Sequence, residues 1–79
     1  MAEVTVRYWA GARDAAGRDE EPLRADRVAD LVQQLAGRTP DLARVLSVSS
    51  LLVDGLLAAP GRALADGDVV EVLPPFAGG

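Results

Sequence analysis

The chain has 79 residues and a formal net charge of -4, which is room for one small domain near the lower size limit for a core without metal or disulfide. Cysteine and histidine are both absent, which excludes disulfides, thiolate nucleophiles, cysteine-held metals and the usual neutral-pH acid/base group. The acidic balance lacks the basic footprint that nucleic acid requires and suits docking onto basic protein surfaces.

All eight cations are arginine, so no side-chain amine is present to accept an acyl group. The carboxylate pairs Asp66/Asp68 and Glu20/Glu21 are the remaining acid/base candidates. Both lie in or beside turn-like sequence and read as solvated surface. The chain shows neither a basic-plus-apolar leader nor a long apolar run, so the expectation is a cytoplasmic protein with no membrane partner.

In chain order, "EVTVRYWA" (Glu3 to Ala10) alternates strictly and is rich in β-branched and aromatic residues, which predicts a strand. Val4, Val6 and Tyr8 share one face; Thr5, Arg7 and Trp9 share the other. "GARDAAGRD" predicts a small-residue connection with a helical turn closed by Gly17. "EEPLRA" predicts a weak second strand, placed on an edge by Pro22. In "DRVADLVQQLAGRTP", Val28, Leu31, Val32 and Leu35 form an amphipathic helix stripe, with Asp26 as its N-cap, Asp30 in its first turn and Gly37 at its stop.

"DLARVLS" predicts a shorter helical stretch with Leu42, Val45 and Leu46 on one side. "SLLVDGLLAA" predicts two short strands around the turn Asp54-Gly55. The turn Ala65-Asp66-Gly67-Asp68 then leads into a last strand, Val69 to Leu73, with Val70 and Val72 facing opposite to Val69, Glu71 and Leu73. One main helix against one face of a mixed sheet is the β-grasp, or ubiquitin-like, arrangement, here as one domain over residues 1–79. First and last strands are central neighbours in such a sheet. Arg7 and Glu71 are therefore expected to pair on its open side, with Trp9 and Leu73 close by and Leu57 joining them. Either Trp9 folds back over an edge of the core, or an apolar patch there marks a partner surface.

The chain ends in "LPPFAGG". Pro74-Pro75 ends the ladder, since proline lacks an N–H, and projects a stiff stem ahead of a flexible end. Phe76 offers one apolar anchor. Gly78 and Gly79 carry no side chains, so they can thread a narrow channel in any backbone conformation it imposes. A terminal carboxylate held in such a channel can be activated by ATP as an acyl-adenylate.

On "VTVRYWAGARDAAG", "LVDGLLA" and "LADGDVVEVLPPFAGG", the chain resembles the MoaD/ThiS sulfur carriers over its whole length, most closely the small subunit of molybdopterin synthase. The resemblance implies that an E1-like adenylating enzyme uses ATP to activate Gly79. A sulfur donor protein then converts Gly79 to a thiocarboxylate. It also implies a heterotetramer with the large synthase subunit, contacted through Gly78, Phe76, Pro75, Trp9, Leu57 and Leu73. No cofactor or metal bound by the chain itself is implied, and catalysis belongs to the partners. Thiamine- and cysteine-pathway carriers share the fold and the Gly-Gly end. A ubiquitin-like protein modifier would use the same activation and end in an isopeptide bond.

Overall fold

The computed structural model describes residues 1–75. Along the chain run β1 (Ala2–Tyr8), α1 (Ala10–Ala16), β2 (Glu20–Ala25), α2 (Val28–Ala36), α3 (Pro40–Val48), β3 (Ser50–Val53), β4 (Leu56–Leu57) and β5 (Val69–Leu73). The strands form one mixed sheet in the order β2-β1-β5-β3-β4. β1 runs parallel to β5, and the other neighbours are antiparallel. This is the expected β-grasp, with Pro22 on the β2 edge, where its missing N–H costs the ladder least.

Alternation along the strands puts Val4, Val6, Tyr8, Leu51, Val53, Val70 and Val72 on one face, all buried. Against them pack Ala12 of α1, Leu31 and Leu35 of α2, and Leu42 and Leu46 of α3 in one cluster. Fully burying a leucine contributes roughly 2–3 kcal/mol, so Leu31 and Leu35 anchor the α2 stripe. Val32, at its margin, is partly buried.

Three helices cover this face among the described residues, with α2 carrying the expected stripe. α3 is as long as α2, at nine residues each. The helical turn expected before Gly17 is a full α1, closed by Gly17 at φ 78. The predicted cap of α2 shifts by one residue. Arg27 is the N-cap, and its backbone N–H donates to the Asp30 carboxylate at 3.2 Å, leaving Asp26 outside the helix.

Glu21 departs from its expected solvated surface. The β1–β2 register sets it opposite Val6 on the covered face, where it is 6% exposed. Its carboxylate accepts the Tyr8 hydroxyl at 2.6 Å and the Arg38 guanidinium at 2.7 Å, with Arg18 at 3.7 Å. Burial alone would raise its pKa. The hydrogen bonds from Tyr8 and Arg38 and the two guanidinium charges outweigh burial and hold it below the ordinary carboxylate value.

Candidate functional site on the open sheet face

The face opposite the helices is displayed by the complementary set of strand positions. Its centre is fixed by register: Arg7 lies opposite Glu71, Glu71 opposite Leu52, and Leu73 opposite Ser50. β5 is therefore flanked on both sides, and its C-terminal end leaves from the middle of the sheet.

Trp9 follows directly on β1. Its backbone N–H donates to the Val72 carbonyl at 3.2 Å, continuing the ladder for one more step. The residue is 42% exposed and does not belong to the buried core. Its indole N–H donates to Glu71 Oε2 at 2.9 Å. The Arg7 guanidinium carbon lies 5.3 Å from the ring centroid, within cation–π range. The expected Arg7–Glu71 pairing holds in register, but both side chains turn toward Trp9.

Leu73 and Pro74 are half-buried and Pro75 is exposed. Leu57 is 76% exposed and sits on β4, two strands away from β5. It reaches the open face through its partner Leu52, which is also paired with Glu71. The structure thus brings Trp9, Leu73 and the Pro74-Pro75 stem to one end of the central strands, and leaves Leu57 at the sheet edge. Leu52 was missed at the level of sequence. Its signal is the alternation of β3, which turns Leu51 and Val53 inward and Leu52 outward, opposite Leu57 across the two-residue turn. Phe76, Gly78 and Gly79 lie outside the described residues.

Asp66 and Asp68 serve the turn before β5. Asp66 Oδ1 accepts the Glu3 N–H at 2.8 Å, and Asp68 Oδ2 accepts the Ala65 N–H at 2.9 Å. Both carboxylates thus hold backbone N–H groups around the turn. Among the described residues no group of three or more His, Cys, Asp or Glu side chains is arranged to hold a metal, and no helix is long and apolar enough to cross a membrane.

Among solved structures, the chain is similar to small archaeal modifier protein 1 (SAMP1) of Methanosarcina acetivorans. That match has 30% identity over 100% of this chain and 98% of that one, with a TM-score of 0.89. It is similar to a putative molybdopterin converting factor subunit 1 from Pyrococcus furiosus, at 30% identity over 96% and 100% of the two chains and a TM-score of 0.86. A complex of subunits 1 and 2 of the molybdopterin-converting factor from Helicobacter pylori matches at 26% identity. It covers 98% of this chain and 99% of that one, with a TM-score of 0.76. No curated protein sequence matches significantly. The model of the ThiS family matches residues 6–79, from β1 through the terminal glycines. With a β-grasp fold and a match over nearly the full sequence, the chain belongs to the ThiS family, as a ThiS/MoaD-type sulfur carrier or ubiquitin-like modifier.

Proposed function

We infer that the protein is the sulfur carrier of a molybdopterin synthase, delivering sulfur from its C-terminus to the dithiolene of the molybdenum cofactor. The observation that carries this reading is the end of β5. The central strand passes into Pro74-Pro75 beside the exposed Trp9, and four residues, ending in Gly78-Gly79, follow. The likeness to converting-factor subunits supports it. The Gly79 carboxylate attacks ATP held by an E1-like adenylating enzyme, giving the acyl-adenylate and pyrophosphate. Sulfide-level sulfur supplied by a donor protein attacks the acyl carbon, displaces AMP and leaves a thiocarboxylate. Such a terminus is a soft nucleophile, so a chain without cysteine can carry reactive sulfur. The open face docks on the large synthase subunit, and Pro75, Phe76 and Gly78 enter its channel. Two sulfurs per dithiolene call for two carriers, hence a heterotetramer.

The likeness to SAMP1 favours a second reading, a ubiquitin-like modifier that uses the same activation. Intact-mass measurement of protein isolated from cells separates the two. The carrier reading expects a species heavier by one sulfur-for-oxygen replacement at Gly79. Isopeptide adducts on the lysines of other proteins, with no sulfur-bearing species, would overturn it. The pathway is tested by supplying the thiocarboxylated chain with the large subunit and the cyclic pterin precursor. Failure to form product, beside a working control carrier, moves the assignment to the thiamine or cysteine branch.

A further inference from the structure

Arg7 and Glu71 face each other at the middle of the open sheet, where opposite charges ordinarily meet as an ion pair. Here both engage Trp9 instead, the carboxylate on the indole N–H and the guanidinium over the ring. The backbone constrains the same residue. Trp9 is extended, at φ -118 and ψ 147, and tied to Val72. Ala10 then takes φ 46, a left-handed conformation that residues with a Cβ rarely adopt, to turn the chain into α1. On the covered side, Tyr8 is anchored by Glu21. The indole is thus gripped at its edge and its face while much of the residue stays exposed. An aromatic side chain ordered before binding loses less freedom on docking.

We propose that Arg7 and Glu71 are positioning residues that hold the Trp9 indole pre-oriented as the anchor for the large synthase subunit. This rests on the sulfur-carrier reading for the identity of the partner. Neither residue carries the sulfur; both act through Trp9. Glu71→Gln keeps an acceptor for the indole N–H and removes only the charge, whereas Glu71→Ala removes the acceptor as well, so the two variants separate the hydrogen bond from the charge.

The protein has one tryptophan, so its indole N–H gives one resonance in the isolated chain. Glu71→Ala is expected to speed indole N–H exchange and acrylamide quenching severalfold, Arg7→Ala to raise quenching, and Glu71→Gln to stay near wild type. In sulfur transfer from the thiocarboxylated chain to the pterin precursor on the large subunit, Glu71→Ala should raise the KM for the carrier about three- to tenfold with kcat retained. It should add nothing in a Trp9→Ala background, because its effect passes through the ring. An equal rise in both backgrounds, or a Glu71→Gln variant as impaired as Glu71→Ala, overturns the proposal. Wild-type KM in Trp9→Ala removes the anchor and the proposal with it. If the wild-type thiocarboxylate delivers no sulfur while indole exchange still responds to Glu71→Ala, positioning stands and the named partner falls.

Discussion

Glu21 places one carboxylate among three partners, and the two it hydrogen-bonds come from different elements: Tyr8 from β1 and Arg38 from the turn after α2. Removing it strands a buried hydroxyl and a guanidinium. Glu21→Ala is expected to cost about 2–4 kcal/mol, read as a lower urea midpoint at unchanged slope. Folding lowers the Glu21 pKa, so its contribution is complete above the ordinary value of 4.5 and is lost as pH falls through the lowered one. Glu21→Gln should therefore flatten the stability curve below that ordinary value. An unchanged acid limb would show that other carboxylates govern acid unfolding. On the opposite face, Trp9→Ala should leave stability nearly intact and weaken binding to the large subunit by about 1–4 kcal/mol, the range for interface anchors. Calorimetric titration measures both partners directly.

At the scale of elements, local signals set the ends. Thr39 caps α3, its Oγ1 accepting the Leu42 N–H at 3.1 Å, and Pro40 occupies the first turn, where no N–H is needed. Thr39→Ala is expected to cost about 1 kcal/mol in thermal or urea unfolding. The β3–β4 hairpin turns on Asp54 at φ 50 and Gly55 at φ 84, the paired positive values that a two-residue hairpin turn requires. Asp54 also ties this turn to β5, its Oδ1 accepting the Val69 N–H at 3.0 Å. Gly55→Val should destabilise by about 1–2 kcal/mol, the cost of a side chain in left-handed backbone. Because the turn sets which residues of β4 meet β3, the same variant should disturb Leu57 more than Trp9.

For the whole molecule, the fold is separable from the end proposed to react. Every buried apolar side chain among the described residues lies between Val4 and Val72, so the core is complete before the tail begins. Deleting Gly79 is expected to leave the melting temperature unchanged and to abolish adenylation in a pyrophosphate-exchange assay. Wild-type exchange by the deletion variant would remove the carrier reading. Replacing Pro74-Pro75 with Gly-Gly should leave thiocarboxylate formation largely intact and slow dithiolene synthesis, because a flexible stem must be ordered on docking. Equal rates of sulfur delivery would show that the stem does not aim the tail.

The sequence by itself determined the strands, the α2 stripe and the hairpin, because each is written in a short-range period or a turn that few residues can make. It also fixed the inward set Val4, Val6, Tyr8, Val70 and Val72, since alternation follows once a strand is recognised. The shorter stretch expected over Asp41 to Ser47 is α3, which extends one residue further at each end and starts at Pro40 behind the Thr39 cap. Glu21 shares the alternation of Leu23 and Ala25, which puts it on the covered face, but that Tyr8 and Arg38 meet its carboxylate there is a contact between separate segments that no local pattern encodes. Arg7, Trp9 and Glu71 were placed on one face by alternation alone. That the indole captures both charges, in place of an ion pair, was decided only by the tertiary structure. The reason is that Ala10 turns the chain immediately after Trp9, holding the ring between β1 and β5, where both partners reach it.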